Sequence, residues 1–285
     1  MDLLLRPGTP ADAADCGRIC FEAFDRIARE HGFLGDFPSA DAATGLMETL
    51  LDHPGFYSVV AEQDGRVVGS NFLDERSPIV GVGPVTVDPD RQNRGLGRRM
   101  MEDVMCRAAE RNAPGVRLLQ SSYHCRSFAL YAGLGFEFRE TLACLQGAPM
   151  AVPVAGRTVR AATDADVAAC DDLCRRVHGT DRGGELADAL KQGTARVVDH
   201  DGRLTGYATD MAFFGHAVGE TTDDLKALIG AATGFAGPGI LVPASDSLLL
   251  QWALRHGLKV VQLMTLMTVG LYHQPAGAYL PSILY

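Results

Sequence analysis

Gly83-Pro84-Val85-Thr86-Val87-Asp88-Pro89-Asp90-Arg91-Gln92-Asn93-Arg94-Gly95-Leu96-Gly97-Arg98-Arg99 is the stretch that decides how this 285-residue chain is read. A β-rich run leads into a glycine-containing loop and then directly into a helix. Glycines at 95 and 97 allow positive φ and a close backbone approach to a ligand. Successive N–H groups there, with the helix N-terminus, form a nest for an anion. Arg94, Arg98 and Arg99 add positive charge. So many donors suit a phosphate, and a pyrophosphate better still. A kinase-type phosphate loop would need GxxxxGK[ST], which the chain lacks. A dinucleotide fingerprint would need a third glycine at 100, which is Met100, and would follow the first strand of its unit, not the fourth.

Local signals place that stretch among other elements. Leu3–Arg6 reads as a strand. Thr9 followed by Pro10 and Asp12 reads as a helix start, with Ile19, Cys20, Ala23, Phe24 and Ile27 at helical spacing. A second helix over 40–52 stops before Pro54. Tyr57–Glu62 and Arg66–Leu73 are strands joined by a Gln63-Asp64-Gly65 hairpin. Ile79–Val87 is the next strand and Gly97–Asn112 a helix. Val116–Ser121 is a strand, Ser127–Gly133 a short helix, and Phe136–Leu145 a closing strand. The order βααβββαβαβ places the chain in the α/β (α+β) class with a mixed sheet.

The pattern then repeats. Arg6, Thr9, Ala11, Asp12, Ala14, Cys16 and Cys20 recur 154 residues later as Arg160, Thr163, Ala165, Asp166, Ala168, Cys170 and Cys174. Asp64-Gly65-Arg66 returns as Asp201-Gly202-Arg203, and Leu134-Gly135-Phe136 as His256-Gly257-Leu258. The order is kept while the offset shrinks, so two copies of one fold lie in tandem, the second shortened. Gln146–Gly156 reads as a linker. The expected domains are 1–148 and 149–285.

Composition narrows the function. Charged residues are 21% and hydrophobic residues 47%, ordinary globular values. A net charge of -9 argues against nucleic acid or an anionic membrane as partner. Seven cysteines without CxxC spacing argue against a disulfide framework or a zinc site and for a reducing compartment. No metal is expected. Neither a secretory signal nor an apolar run of ~20 residues is seen, so a cytoplasmic protein is expected, as a monomer or homodimer. Cys16/Cys20 and Cys170/Cys174 read as small buried hydrophobes.

Val87-x-Pro89-x-x-Gln92-x-x-Gly95-x-Gly97 resembles motif A of the GNAT superfamily of acyl-CoA-dependent N-acetyltransferases. Ala129-Leu130-Tyr131-Ala132-Gly133-Leu134-Gly135-Phe136 resembles its motif B, departing where many members have Asn seven residues before the tyrosine; His124 stands there. The resemblance implies tandem GNAT folds, each a mixed, mostly antiparallel sheet flanked by helices. It implies acetyl-CoA as co-substrate. Backbone amides of Gln92, Asn93, Arg94, Gly95, Leu96 and Gly97, with Arg98, would cradle the CoA pyrophosphate. Val85 and Val87 would pair with the pantetheine arm where the strand splays at a bulge. The Val87 N–H would polarise the thioester carbonyl, and Tyr131 would protonate the departing thiolate. Attack would be direct, in a ternary complex, by an amine on a small molecule or peptide. The family often places a glutamate base on the fourth strand, but Ile79–Val87 has no carboxylate; Asp74, Glu75 and His124 are the candidates.

The second copy lacks this equipment. Ala253 falls opposite Tyr131, and Gly215–Asp224 replaces the glycine motif with acids. A degenerate GNAT-like half without CoA is expected, as in bacterial tandem-GNAT proteins with one working half. The tail after Leu271, rich in Tyr, Leu and Pro, is expected to pack on the sheet or help close the acceptor pocket. An acyl-CoA sensor without turnover and an unrelated nucleotide-binding enzyme are the competing readings.

Overall fold

The structure, a computed structural model, describes residues 3–285. In chain order the first half contains β1 (Leu3–Pro7), α1 (Ala13–Glu30), α2 (Ala40–Asp52), β2 (Phe56–Gln63), β3 (Arg66–Asp74), β4 (Val80–Val82), β5 (Thr86–Val87), α3 (Leu96–Glu110), β6 (Gly115–Ser121), α4 (Cys125–Ala132) and β7 (Glu137–Gln146). The second half repeats that order, with the single strand β11 where the first half has β4 and β5: β8 (Arg157–Ala161), α5 (Val167–His178), α6 (Gly183–Gln192), β9 (Arg196–His200), β10 (Arg203–Ala208), β11 (Ala217–Gly219), α7 (Thr222–Ala231), β12 (Ile240–Pro243), α8 (Ser247–Arg255) and β13 (Lys259–Gly270), and it adds β14 (Ala278–Leu280).

The repeated residues do the same work in both halves. Arg6 grips the Asp12 carboxylate with two N–H groups at 2.9 and 2.8 Å, and Thr9 donates its N–H and hydroxyl to the same carboxylate. Arg160, Asp166 and Thr163 build an identical knot. Each arginine also reaches an acid on the neighbouring strand, Glu62 or Asp199. The knot fixes the turn from the first strand of each half into its first helix, satisfying N–H groups the helix cannot. Asp64-Gly65 and Asp201-Gly202 both take positive φ, as the two-residue hairpin turn demands. Cys16, Cys20, Cys170 and Cys174 are fully buried free thiols.

Packing divides the chain into two units, residues up to Glu75 together with Ile79–Leu118, and Arg76–Pro78 together with Leu119–Tyr285. In the first, strands run in the order β1-β2-β3-β4-β6, antiparallel except for the parallel β4–β6 pair. Helices α1 and α2 cover the sheet with Ile19, Cys20, Met47 and Leu50 against Val60 and Phe72. They cross closely at Gly17, where a Cβ would stand 2.5 Å from the Thr44 Cα.

In the second unit β7 lies between β13 and β12, antiparallel to both. A separate five-stranded sheet has the order β14-β11-β10-β9-β8. Helices α7 and α8 pack Leu225, Ile229, Leu249 and Ala253 into its main core with Leu145 and Val242. The compact units therefore do not follow the chain division at 148/149. Strand β7, the last of the first repeat, gives its backbone hydrogen bonds to strands of the second. The tail also adds a strand: β14 pairs with β11, and Tyr285 is buried.

Candidate active site

The strand expected over Ile79–Val87 is two strands. Gly83 has φ 137, a conformation open to glycine, and the Gly83-Pro84 peptide is cis. The chain turns there and changes partners. β4 pairs with β6 at Val80↔Val116 and Gly81↔Arg117, whereas β5 pairs with β3 at Ser70↔Thr86 and Gly69↔Val87. Val85 lies in the break, outside either strand.

This break frees one edge of β5. Asp88 donates its N–H to the Val68 carbonyl at 2.9 Å. Neighbouring N–H groups on a strand alternate in direction, so the N–H of Val87 points away from β3. Among the described residues β3 is the one strand paired with β5. The Thr86 hydroxyl is fixed by Ser70 at 3.0 Å in the core. A Cβ on Gly69 would come 2.7 Å from the Thr86 carbonyl oxygen, so glycine lets β5 lie close on β3.

The loop after β5 is wound against the same strand. Gln92 Nε2 donates to the Val87 carbonyl at 3.2 Å, and Arg91 donates to Gln63 Oε1 at 3.0 Å. Asn93 and Gly95 take left-handed φ of 62 and 81. Gly95 caps α3 without a side-chain hydrogen bond, and no acid lies in the first turn. The helix's own ladder begins with the Arg99 N–H to the Gly95 carbonyl. The N–H groups of Leu96, Gly97 and Arg98 precede that ladder, as at any helix start. Arg94, Arg98 and Arg99 are exposed around them, Arg98 within 4.0 Å of Glu102. The Asn71 side chain holds the first turns of α3 by donating to the Met100 carbonyl at 3.2 Å. The result is a positive helix end lined by main-chain donors, suited to a phosphate.

Tyr131 lies on α4, buried against Phe136 with ring centroids 6.1 Å apart. Burial pushes its phenol up to about 12, and a hydrogen bond from Ser127 pulls the other way. His124, just before α4, has Nδ1 2.6 Å from Ser127 Oγ. Ser127 belongs to no motif, but its spacing, three after His124 and four before Tyr131, puts all three on one helical face. Gln120 on β6 is buried with neither amide atom partnered among the described residues. Glu75 at the end of β3 is engaged by Arg107 at 2.7 Å and Arg111 at 3.1 Å. Its carboxylate ties β3 to the far end of α3.

The corresponding helix start in the second half is closed. Thr221 caps α7, and the buried Asp224 carboxylate accepts the Thr221 N–H at 2.9 Å and its hydroxyl at 2.8 Å. Arg157 and Thr205 complete that carboxylate's shell at 2.8 Å each. Ala253 sits buried on α8. Among the described residues no group of three His, Cys, Asp or Glu is placed to hold a metal. No helix among them is long and apolar enough to cross a membrane.

Comparison with known proteins agrees with this architecture. Residues 54–138 match the acetyltransferase (GNAT) domain. An acetyltransferase provisionally assigned from Pyrococcus horikoshii superposes with a TM-score of 0.73 at 17% identity, over 94% of this chain and 89% of its own. A GCN5-related N-acetyltransferase from Sphaerobacter thermophilus gives 0.61 at 15% identity, over 95% and 96%. The chain therefore has the GNAT fold, with two mostly antiparallel sheets flanked by helices, one mixed through its parallel β4–β6 pair and the other antiparallel throughout. In sequence, the mycothiol acetyltransferase of Nocardia farcinica is 31% identical over 132 residues, 45% of this chain and 42% of that protein. That of Thermobifida fusca is 29% identical over 125 residues, 41% and 39%. The matches thus span less than half the length of these relatives.

Proposed function

We propose that the protein transfers an acetyl group from acetyl-CoA to an amine, with the first repeat as the working half. The main-chain donors from Gln92 to Gly97, with Arg98, hold the pyrophosphate. The free edge at Val85–Val87 takes the pantetheine amides as an added strand. The Val87 N–H then meets the thioester carbonyl, where negative charge grows as the amine attacks and a tetrahedral intermediate forms. As that intermediate collapses, the C–S bond breaks and the Tyr131 proton passes to the sulfur. The acceptor is a small-molecule or peptide amine that attacks directly. Glu75, held by two guanidinium groups, suits anchoring α3 better than taking a proton, which leaves His124, bonded to Ser127, as the candidate base. The second repeat holds no CoA, because the Asp224 carboxylate occupies the place a phosphate would need.

One observation carries this function: the outward Val87 N–H and the uncapped start of α3 lie on one continuous turn of chain. The test is free-thiol release from acetyl-CoA across a panel of amines and short peptides. Amine-dependent release is expected, and Tyr131→Phe lowers kcat about 100-fold while leaving acetyl-CoA affinity nearly unchanged. Stabilisation by acetyl-CoA without any thiol release supports a sensor instead. Stabilisation by ATP or NAD and none by CoA overturns both.

A further inference from the structure

We propose that β13, a strand of the inert repeat, is part of the working site: its Thr265, bonded to Ser122, fixes the turn from β6 into α4 and so positions His124 and Tyr131. This rests on the proposed role of Tyr131 as the thiolate's proton donor.

Helix α4 is a crossover between β6 and β7, and in the strand order β13 stands between those two. Each end of the crossover is tied to β13. At the near end the Ser122 N–H donates to the Leu263 carbonyl at 2.9 Å, and the Ser122 and Thr265 hydroxyls lie 2.8 Å apart. The His124 N–H donates to the Ser121 carbonyl at 2.9 Å, and the His124 carbonyl accepts from the Phe128 N–H on α4 at 3.2 Å. At the far end the Phe136 N–H donates to the Tyr131 carbonyl at 3.0 Å. The next residues, Glu137 and Phe138, pair with Thr268 and Met267 of β13. Packing agrees, since α4 belongs to the compact unit that holds the second repeat.

The repeat separates the tie that is special to the working half from the one that is general. Tyr131 and Ala253 stand 122 residues apart, and the same offset relates Ser122 to Ala244, Leu263 to Thr141 and Thr265 to Ala143. In the inert half the Ala244 N–H donates to the Thr141 carbonyl at 2.8 Å, so the main-chain tie is made in both halves. The hydroxyl pair is not, because alanine stands at both of its positions. Thr265 is buried, and its hydroxyl is engaged at the crossover that carries a tyrosine. Proton transfer works over about 2.6–3.2 Å, and a misplacement of about 1 Å can cost about 100-fold in rate. A helix that carries the acid therefore needs a firmer seat than one that carries alanine.

The test is thiol release from acetyl-CoA with the panel amine that turns over fastest, measured below each variant's melting temperature. It compares wild type, Thr265→Val, Thr265→Ser, Ser122→Ala, the Ser122→Ala/Thr265→Val double variant and Tyr131→Phe. Thr265→Val keeps the shape and removes the hydroxyl, and is expected to lower kcat about 10-fold or more with the acetyl-CoA KM unchanged. Ser122→Ala does the same, and its half-buried position keeps the test open should Thr265→Val fail to fold. Thr265→Ser, which keeps the hydroxyl, retains most of the rate. The double variant loses no more than either single one, because both remove the same bond. Wild-type kcat in Ser122→Ala, losses that multiply in the double variant, or a Thr265→Ser as slow as Thr265→Val overturns the inference, while a slow Tyr131→Phe still supports the acid. Tyr131→Phe at wild-type rate, or a wild type releasing no thiol with any amine, overturns the underlying function and this inference with it.

Discussion

Gln120 and Asp12 mark two ways in which a single polar side chain sits in this core. Asp12 has every oxygen engaged, and Arg6 holds its carboxyl down at about 2. An ordinary aspartate titrates near ~3.9, so the knot adds stability that is complete above that pH and is lost as pH falls towards about 2. That amounts to about 2 kcal/mol, and Asp12→Asn should remove it from a plot of denaturation midpoint against pH. Gln120 is buried with neither amide atom partnered among the described residues. An unpaired buried polar group costs about 1–3 kcal/mol, so Gln120→Leu should raise the melting temperature by a few degrees. Of the site residues, those with a motif signature, Gln92, Gly95, Gly97 and Tyr131, could be picked out by spacing. Ser127 and Gln120 could not, because their importance lies in what surrounds them and an ordinary serine or glutamine in sequence does not reveal that.

Among the elements, β5 and α3 do most to shape the site. The helix expected over Gly97–Asn112 is Leu96–Glu110, since Gly95 and the following apolar periodicity are local signals. The break between β4 and β5 was half legible. Gly83-Pro84 signals interruption, but the change of partner from β6 to β3 depends on distant strands. Gly69 is the hinge of that arrangement. Gly69→Ala would drive a methyl into the Thr86 carbonyl and push β5 off β3. Calorimetry should show acetyl-CoA affinity falling about 10-fold or more, with a lower melting temperature. Equal affinity in that variant would separate β5 from coenzyme binding.

Across the whole molecule, the repeat was legible because three short echoes kept their order, and each proved to be a structural device: an ion-pair knot, a hairpin turn and a glycine turn at positive φ. The interleaving of β7 with β12 and β13 was not, because strand pairing across more than 90 residues leaves no local trace. The second half also holds a buried network, Arg182–Glu185–His216–Tyr207, with Glu185 gripped by Arg182 at 2.7 Å. Burial holds the His216 imidazole down at about 4. An unfolded histidine titrates near ~6.5, so the unfolded chain takes up this proton first. Stability should therefore fall as pH drops from about 6.5 to about 4, ahead of the Asp12 transition, as read from urea midpoints across that range. Asp224→Ala should lower stability by about 3 kcal/mol, because it removes a buried carboxylate that holds the half-buried Arg157 and leaves Thr205 and the Thr221 cap without their acceptor. It should leave acetyl-CoA affinity unchanged.

The most direct measurement is calorimetric titration of CoA into wild type and Gly95→Glu. Gly95 has left-handed φ and stands where the turn meets α3, so a glutamate there brings backbone strain and a negative charge to the anion nest. Wild type is predicted to bind CoA at one site and Gly95→Glu, still folded, to give no binding heat. Undiminished CoA affinity in Gly95→Glu would contradict the account.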